Sequence, residues 1–579
     1  MEITNEEIAE IFGKIAEILE IKGENPFKIR AYSNAARIIN QLQENLQAMA
    51  EKGELPKISG IGSDLSLKIK ELITTGHLAY YDELKSSVPE GLFELMKLRG
   101  LGPKKARSLY DILNIKNIDE LEGAISNNRI AGIEGFGDKT VENLKQSIIE
   151  YRSFKERFLY YEAEPEAEAI VFYLKNSGFV LNAEVAGSLR RKLETVGDID
   201  IVASSKNLSA LIDFFLKYNL ISRVKSMGET KLSVVLQSGI HVDLRVVANE
   251  DYIYALHHFT GSKLHNEQLR GLEKKADYKI SEYGIFKGDT KISVKSEKDI
   301  YELFGMQYIP PELREGTGEL DEALKHNIPV LIEESDIKGI FHVHTTYTDG
   351  KHSLEEVVKT ALEMGYKYVG ISDHSISAYY AGGLSADDIK SQIKYIDKLN
   401  EEYAGKIKIF KGVESDILPD GKLDYEDHVL SLFDFIVASV HSRFNMTEDA
   451  MTERIIMAIK NPYTTMIGHL TGRLLLERNP YLLDIHAVID ACSKYNTIIE
   501  LNANPKRLDI DWRYIKEAIS KSVMISINPD AHSVYGLNVM PYGIYTARKG
   551  WATKKSVLNT YSAGEVFNIM KGIRDSKLA

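Results

Sequence analysis

Cysteine is nearly missing from this chain: Cys492 is the only one among 579 residues. A single thiol excludes an intramolecular disulfide and a zinc cluster built on several thiolates. Long apolar runs are missing as well. No stretch approaches the roughly 18 residues that span a bilayer, so no membrane partner is expected. Residues 1–10 are acidic and lack the basic-then-apolar order of a secretory leader; a cytoplasmic protein is expected. An excess of positive charge, the usual mark of a nucleic-acid binder, is also lacking, for the formal net charge is −12. That excludes little, because local basic surface and not the total sets phosphate attraction. Metal-holding carboxylates also add to the negative count. The acidic total does predict that any non-specific binding to nucleic acid is weak and easily removed by salt.

The length implies several domains, and a hydrophobic content of 44% supplies their cores. Up to about residue 155 the chain reads as short amphipathic helices, with Ile8, Ile11, Ile15 and Ile18 at helical spacing. From about 160 to 245 strands and helices alternate, with Ile199, Ile201 and Val202 in a strand after Gly197. A hairpin around Ser238-Gly239 joins 231–237 to 241–247. Residues 250–315 are mixed, with short strands around 278–286. The charged stretch 312–334, with Gly316, Gly318 and Pro329, reads as linker plus a helical connector. Beyond 337 the rhythm is strand then helix, with strands at 339–344, 368–372, 408–413, 435–440, 465–467, 497–501 and 524–528. That rhythm implies a parallel β/α barrel-like domain whose polar residues fall at strand C-termini.

One element recurs in the helical region, as Ile58-Ser-Gly60-Ile-Gly62, Leu98-Arg-Gly100-Leu-Gly102 and Ile133-Glu-Gly135-Phe-Gly137. The glycines permit a tight hairpin that presents backbone N–H groups, and the helix that follows also favours an anion. The result is a phosphate cradle that reads no bases. One Gly-x-Gly is usually just a turn; three in the same apolar frame are stronger evidence. The third copy carries Asp138, unfavourable beside phosphate, so its expected role is helix packing. These segments resemble helix-hairpin-helix motifs.

Asp198 and Asp200 lie two apart on a strand and so share a face. Asp243 shares a face with His241 and Arg245, while Val242, Leu244 and Val246 face the other side. Adjacent strands could converge the three carboxylates on one sheet edge, enough for two Mg²⁺ ions roughly 4 Å apart. Gly187-Ser188 and Arg190-Arg191 precede them by a short turn and suit a triphosphate, with arginine as a fork. Asp-x-Asp alone is common on solvated strands; the upstream Gly-Ser and paired arginines make that reading a poor one here.

Gly187-Ser-Leu-Arg-Arg191, Gly197-Asp-Ile-Asp200, Asp243 and Phe259-Thr-Gly-Ser262 resemble the palm of family X DNA polymerases, the DNA polymerase beta type, over roughly residues 1–315. The resemblance implies that Asp198, Asp200 and Asp243 are the catalytic carboxylates that bind Mg²⁺ or Mn²⁺. It implies that Gly187, Ser188 and Arg191 hold the triphosphate. Phe259 and Gly261 pack the sugar, Asn266 touches the base, and Arg270 lies on the template side. Two positions depart from the family pattern: His258, where many relatives carry tyrosine, and Lys263, at a position acidic in animal relatives. They put ribonucleotide exclusion and nucleotide stacking in question. Lys68 matches the lysine that forms a Schiff base in lyase-competent relatives. A nucleophilic lysine needs a depressed pKa; Lys70 favours this and Asp64 opposes it, so a solvated or phosphate-contacting lysine is the preferred reading.

The second half carries His342, His344, Asp349, Asp373-His374, Glu414, His441, His469 and Asp530-Ala-His532, mostly where a strand ends. These are too many nitrogen and oxygen ligands for one metal, and imidazole plus carboxylate without sulfur suits Mn²⁺, Zn²⁺ or iron. Such clusters create hydroxide near neutral pH and clamp phosphate. The set resembles the polymerase and histidinol phosphatase (PHP) domain over about 337–579. The resemblance implies His342, His344, Asp349, His374, Glu414, His441, His469, Asp530 and His532 as ligands of two or three Mn²⁺- or Zn²⁺-type ions. Arg473 and Asn504-Pro-Lys506 are candidates for phosphate contact or plain loop residues, and His352 is not expected to be a ligand.

The expected fold is multidomain α/β: a helix-hairpin-helix N-terminal region, a nucleotidyltransferase-type mixed-sheet palm and a C-terminal distorted β/α barrel. The expected boundaries are 1–80 (lyase-like, DNA-binding), 81–155 (helix-hairpin-helix), 156–250 (palm), 251–316 (nucleotide selection), 317–336 (linker) and 337–579 (PHP). Both resemblances look like the bacterial and archaeal family X polymerases with a C-terminal phosphoesterase. They imply a monomer that fills short DNA gaps in base excision repair, with gapped or nicked DNA and deoxynucleoside triphosphates as partners. The second domain would act as a 3′–5′ exonuclease that cleans 3′ ends and cleaves at abasic sites. Three rivals stand beside this reading: an RNA or small-molecule nucleotidyltransferase, a histidinol-phosphate-type phosphatase on a DNA tether, and a gap-binding scaffold.

Overall fold

A computed structural model describes residues 5–42, 46–51, 55, 58, 60–89, 91–98, 100–130, 132–275 and 277–579. Ser59 and Arg99 of the first two hairpins, and the first four residues of the acidic N-terminus, lie outside the described residues. Among the described residues no helix is long and apolar enough to cross a membrane. The chain divides into two compact units, Met1–Glu156 and Arg157–Ala579.

The first unit is helical. The isoleucine spacing produces Asn5–Ile21, which buries Ile8, Phe12, Ile15 and Leu19 in the unit's core. All three hairpins have one geometry. Gly60, Gly100 and Gly135 have φ of +86°, +85° and +86°, a left-handed turn that glycine adopts without cost. Ile61 N–H donates to Ile58 O, Leu101 N–H to Leu98 O and Phe136 N–H to Ile133 O at 3.0–3.1 Å. Ile61, Leu101 and Phe136 between the glycines are buried, which explains the apolar frame. Helices Ser63–Thr75, Pro103–Leu113 and Asp138–Lys155 follow. The third hairpin is therefore built like the others, although Asp138 opens its helix.

The second unit begins with a five-stranded sheet in the order Val180–Val185, Asp198–Ser205, His241–Val247, Lys231–Leu236, Ile221–Met227. Asp198–Ser205 and His241–Val247 pair in parallel, and the remaining pairs are antiparallel. Val242, Leu244 and Val246 are fully buried beneath the sheet, as alternation predicts. A three-stranded sheet, Lys279–Ser281, Gly284–Lys287 and Thr290–Ile292, follows two helices, Tyr252–Thr260 and Lys263–Lys275. A buried charge triad ties these parts together: Arg190 Nη2 lies 2.6 Å from Glu297 Oε2 and Arg314 Nη1 lies 2.5 Å from Glu297 Oε1. Burial raises the Glu297 pKa, but the two guanidiniums outweigh it and hold the carboxyl at about 2.

The stretch expected as a linker is packed. Helix Glu319–Leu324 buries Glu319, Leu320 and Ala323, and Ile328 and Leu331 join the same cluster. Its acidic residues make specific bonds: Glu319 takes His265 Nδ1 at 2.7 Å and the backbone N–H groups of Gly316 and Thr317.

Seven parallel strands then run in chain order: Gly339–Val343, Tyr368–Ile371, Lys408–Asp416, Phe435–Ser439, Met466–Ile467, Ile498–Asn502 and Ile525–Asn528. Each lies within three residues of its sequence-predicted end. A parallel bridge between Val343 and Ala531 joins first strand to last and nearly closes a barrel. Capping boxes start several of the outer helices; Ser353 and Glu356 exchange backbone N–H bonds, as do Ser385 and Asp388. Aromatic side chains fill the interior so tightly that a Cβ on Gly412 would fall 2.2 Å from the Phe435 ring.

Helix Met540–Lys549 joins this barrel to the preceding sheet. Its Tyr542 and Tyr545 pack on the sheet's core, with Lys192 Nζ 4.0 Å above the Tyr545 ring. Arg548 Nε donates to Glu312 Oε1 at 2.8 Å.

Candidate metal centres

The carboxylate face of the palm-like sheet is built by register. Asp200 stands opposite Asp243, and Asp198 opposite His241, on neighbouring parallel strands. All three carboxylates thus share one face of the sheet, on two of its inner strands and not at the edge expected from the sequence. Asp243 is engaged by Lys231 Nζ at 2.5 Å. Burial pushes the Asp200 carboxyl up to about 7, and the neighbouring charges of Asp198 and Asp243 add to the shift. Burial and Asp243 likewise raise Asp198. Burial raises Asp243 too, but the Lys231 and Ser233 bonds prevail and its pKa is lowered. Carboxylates that resist ionisation together are relieved by a dication, and an all-oxygen set suits Mg²⁺ or Mn²⁺. Gly187, at φ +58°, must be glycine: a Cβ there would fall 2.0 Å from Asp200 Oδ2.

The nucleotide side is assembled around helix Gly187–Arg190 and Phe259–Ser262. Phe259 lies under the Arg245 guanidinium at 5.0 Å. Asn266 Nδ2 donates to His258 O at 2.9 Å, while Arg270 and Lys263 are exposed. Burial lowers the His258 pKa. Arg191, expected as a free fork, is engaged: Nη1 donates to Thr260 O at 2.6 Å and Nε to Glu315 Oε1 at 3.0 Å. Lys68, in the first unit, forms an ion pair with Asp64 at 2.6 Å. Its ammonium is thus engaged by the carboxylate that opposes a depressed pKa.

At the barrel's strand ends all nine predicted ligands converge. They form four overlapping groups of potential ligand atoms: His344, Asp349, His374 and His532; His342, His344 and Asp530; His342, Glu414 and His469; His374, Glu414 and His441. Glu414 is the hub. It lies 3.0 Å from His374 and His469 and 3.3 Å from His342 and His441. His342, His344, Glu414 and His469 are buried, while His532 is the most open ligand. His342, His469 and Asp530 adopt φ of +58°, +24° and +50°, conformations that cost non-glycine residues about 1–3 kcal/mol each and gather at functional sites. Buried atoms of His342, His344, Asp349, His374 and His469 lack a hydrogen-bond partner in the protein. Such atoms are rare unless a ligand completes them, so the residues fit two or three ions.

Without a metal, the charges are divided unevenly among the histidines. Burial lowers His374 to about 4. The same burial is overcome at His441 by Glu414 and Asp416, which bring it to about 10, and at His532 by Asp349 and Asp530, which bring it to about 9.

Two residues of this site escaped the sequence reading. Glu500 is fully buried and takes His342 Nδ1 at 2.6 Å, His469 N–H at 3.0 Å and Asn528 Nδ2 at 2.9 Å. Asp416 takes His441 Nδ1 at 2.5 Å. Carboxylates behind ligating histidines fix ring orientation and tautomer. The signal for Glu500 was an acid inside Ile-Ile-Glu-Leu, where an apolar strand admits charge only for a reason. Asp373 anchors the loop instead of binding metal, accepting bonds from Thr345, Thr348 and Gln392.

Arg473 is no phosphate contact. It is buried, bonded to Asp511 at 2.7 Å and Glu194 at 3.0 Å, and locks the barrel to the palm-like sheet. Lys506 pairs with Glu477; its neighbour Arg507 stands 3.8 Å from Asp530. His352 accepts from Val534 N–H and stays outside the cluster, as expected.

Family models match four segments: a helix-hairpin-helix domain at 3–78, a SAM-like helix-hairpin-helix tandem at 92–148, the DNA polymerase beta thumb at 255–315 and the PHP domain at 341–528. A Bacillus subtilis protein named DNA polymerase/3′-5′ exonuclease PolX is 39% identical over 98% of this chain and 99% of its own length. The chain belongs to the family X DNA polymerases with a C-terminal PHP domain. Rat DNA polymerase lambda is 25% identical over 48% of this chain and 52% of its own length. A Thermoanaerobacter protein named probable phosphatase is 28% identical over 40% of this chain and 93% of its own length. This family X chain therefore carries its polymerase beta thumb match and its PHP match on separate segments, 255–315 and 341–528.

Proposed function

We propose that this chain extends primer 3′ ends in gapped or nicked DNA with deoxynucleoside triphosphates, and removes nucleotides from 3′ ends at its barrel. The observation that carries this reading is the presence of both charge centres in one chain of this family, each with its full set of predicted residues. The primer 3′-oxygen attacks the α-phosphate and pyrophosphate leaves. Ser188 and Arg191 hold the triphosphate, Phe259 and Gly261 lie against the sugar, Asn266 meets the base and Arg270 the template. In the barrel, water attacks the terminal phosphodiester and a nucleotide leaves. Asp198, Asp200 and Asp243 would hold Mg²⁺ or Mn²⁺, and the barrel ligands two or three Mn²⁺- or Zn²⁺-type ions, which when bound would supply activation of the attacking oxygen and charge relief on the leaving one.

The hairpins support a DNA substrate. A Cβ on Gly62, Gly102 or Gly137 would meet nothing within 4 Å among the described residues, so their packing does not require glycine there. Close approach by an outside backbone does. The reading extends to gap filling in cytoplasmic base excision repair by a monomer, with cleavage at abasic sites as a further barrel activity. Its segments are 1–80 and 81–155 for DNA, 156–250 as palm, 251–316 for nucleotide selection and 337–579 as phosphoesterase. Lys68, paired with Asp64, is left out of the chemistry.

A labelled primer on gapped DNA with Mn²⁺ tests both activities. Lengthening with deoxynucleotides and shortening without them is the expected result. Lengthening alone would move the barrel to another phosphate ester, and shortening alone would make the palm a relic.

A further inference from the structure

The barrel reaches into the nucleotide site through one side chain. Lys549 ends helix Met540–Lys549, and its side chain is fully buried. Its Nζ donates to Glu315 Oε1 at 2.5 Å, to Arg191 O at 3.1 Å and to Glu312 O at 3.2 Å, and it lies 4.7 Å from the Trp512 ring. The same oxygen, Glu315 Oε1, accepts from Arg191 Nε at 3.0 Å. Two cations, one from the barrel and one from the palm, therefore divide a single, nearly buried carboxylate oxygen.

The division has a consequence for nucleotide binding. A guanidinium tied to a carboxylate is less available to a phosphate, since both are anions seeking the same fork. In a poorly solvated place that competition is strong. Lys549 draws on the oxygen that holds Arg191 and so weakens its hold. We propose that Lys549 is a positioning residue for polymerisation: by sharing Glu315 it loosens that carboxylate's hold on Arg191 Nε, leaving the guanidinium, whose Nη1 is bonded to Thr260 O, readier to take the incoming triphosphate, and so makes the polymerase site depend on the docked barrel. The proposal rests on the reading of Arg191 as a triphosphate ligand.

The sign of the effect separates this role from simple scaffolding. Lys549→Met leaves Glu315 wholly to Arg191 and is expected to raise the deoxynucleotide KM about tenfold, the scale of a hydrogen bond to a charged group, with kcat little changed. Exonuclease activity of the full chain is expected to persist. Glu315→Gln is expected to lower KM, and Glu315→Gln combined with Lys549→Met to return it toward wild type. Lys549→Arg should retain most function.

The measurement is steady-state gap filling by the full-length protein, with thermal melting and exonuclease rate on each preparation. Should Lys549→Met fail to fold, the direction of the Glu315→Gln shift decides alone. If Arg191→Ala raises KM but Lys549→Met does not, the proposal is overturned. If Lys549→Met and Glu315→Gln impair KM, kcat and melting together, with no rescue in the double variant, Lys549 is only a structural tie and the proposal is again overturned. An unchanged KM in Arg191→Ala would instead remove the reading of Arg191 itself.

Discussion

The palm face and the barrel mouth both gather charge for metal ions, and they differ in how much protein is committed behind them. At the palm, three carboxylates stand on two strands, and one of them is bonded to Lys231. At the barrel, nine ligands come from the ends of several strands, and buried carboxylates brace His342 and His441 from behind. Few ligands and partial exposure suit a cation that keeps waters and is completed by substrate phosphates. Many buried ligands in strained, braced positions suit ions that remain between turnovers. The first site is therefore expected to form with each substrate, and the second to be part of the folded structure.

Breaking either centre should leave the other working. Asp200→Asn is expected to cut polymerisation on the order of 1,000-fold or more, a loss of several kcal/mol of charge stabilisation, with the exonuclease intact. Glu414→Gln should do the reverse. Loss of both activities in either variant would mean that the centres are one functional unit.

The bracing can be tested more finely. Glu500→Gln keeps the size of the side chain but removes the charge behind His342, and should lower exonuclease rate or metal affinity roughly 10- to 100-fold. Polymerisation should be unchanged. Metal content measured after dialysis separates weakened binding from impaired chemistry.

Chelation sharpens the contrast between transient and resident ions. Ions that bind only the folded state stabilise it, so removing them should lower the melting temperature by several degrees. Asp200→Asn should show the same drop, and Glu414→Gln a much smaller one. An equal drop in both variants would contradict the assignment of resident ions to the barrel.

The smallest effect is one of pH. The Asp200 carboxyl stands at about 7 without metal, above its unfolded value of about 3.9. The folded chain therefore holds this proton more tightly. Its contribution favours the metal-free fold at low pH and is lost as pH rises toward and through 7. Mg²⁺ must displace the proton, so binding near pH 6 should release up to about one proton, and binding above pH 8 almost none. Half-saturating Mg²⁺ for polymerisation should rise as pH falls below 7. Calorimetry in buffers of different ionisation enthalpy measures the release directly.

What could be read from the sequence was what short spacing encodes. Asp198 and Asp200 share a strand face, and His342 and His344 end one, so type and interval were enough. The barrel was legible because each strand ran to polar residues at its C-terminal end. What stayed hidden was pairing across long separations. Nothing near Arg473 in sequence indicates Glu194, and nothing near Lys549 indicates Glu315. The stretch 312–334 looked like linker because it is charged, and only its partners, His265 for Glu319 and Arg548 for Glu312, reveal that the charges are packed. Glu500 lay between the two cases, visible as an acid in an apolar strand but without its partner His342.

The seam of the barrel has a consequence for how the protein is made. His342 and His344 belong to the first strand, while Asp530 and His532 follow the last, and the two sets meet only where Val343 bridges Ala531. During synthesis nearly 200 residues must emerge between the first of these ligands and the last. A half-made chain thus carries its palm-like sheet before the barrel site can close.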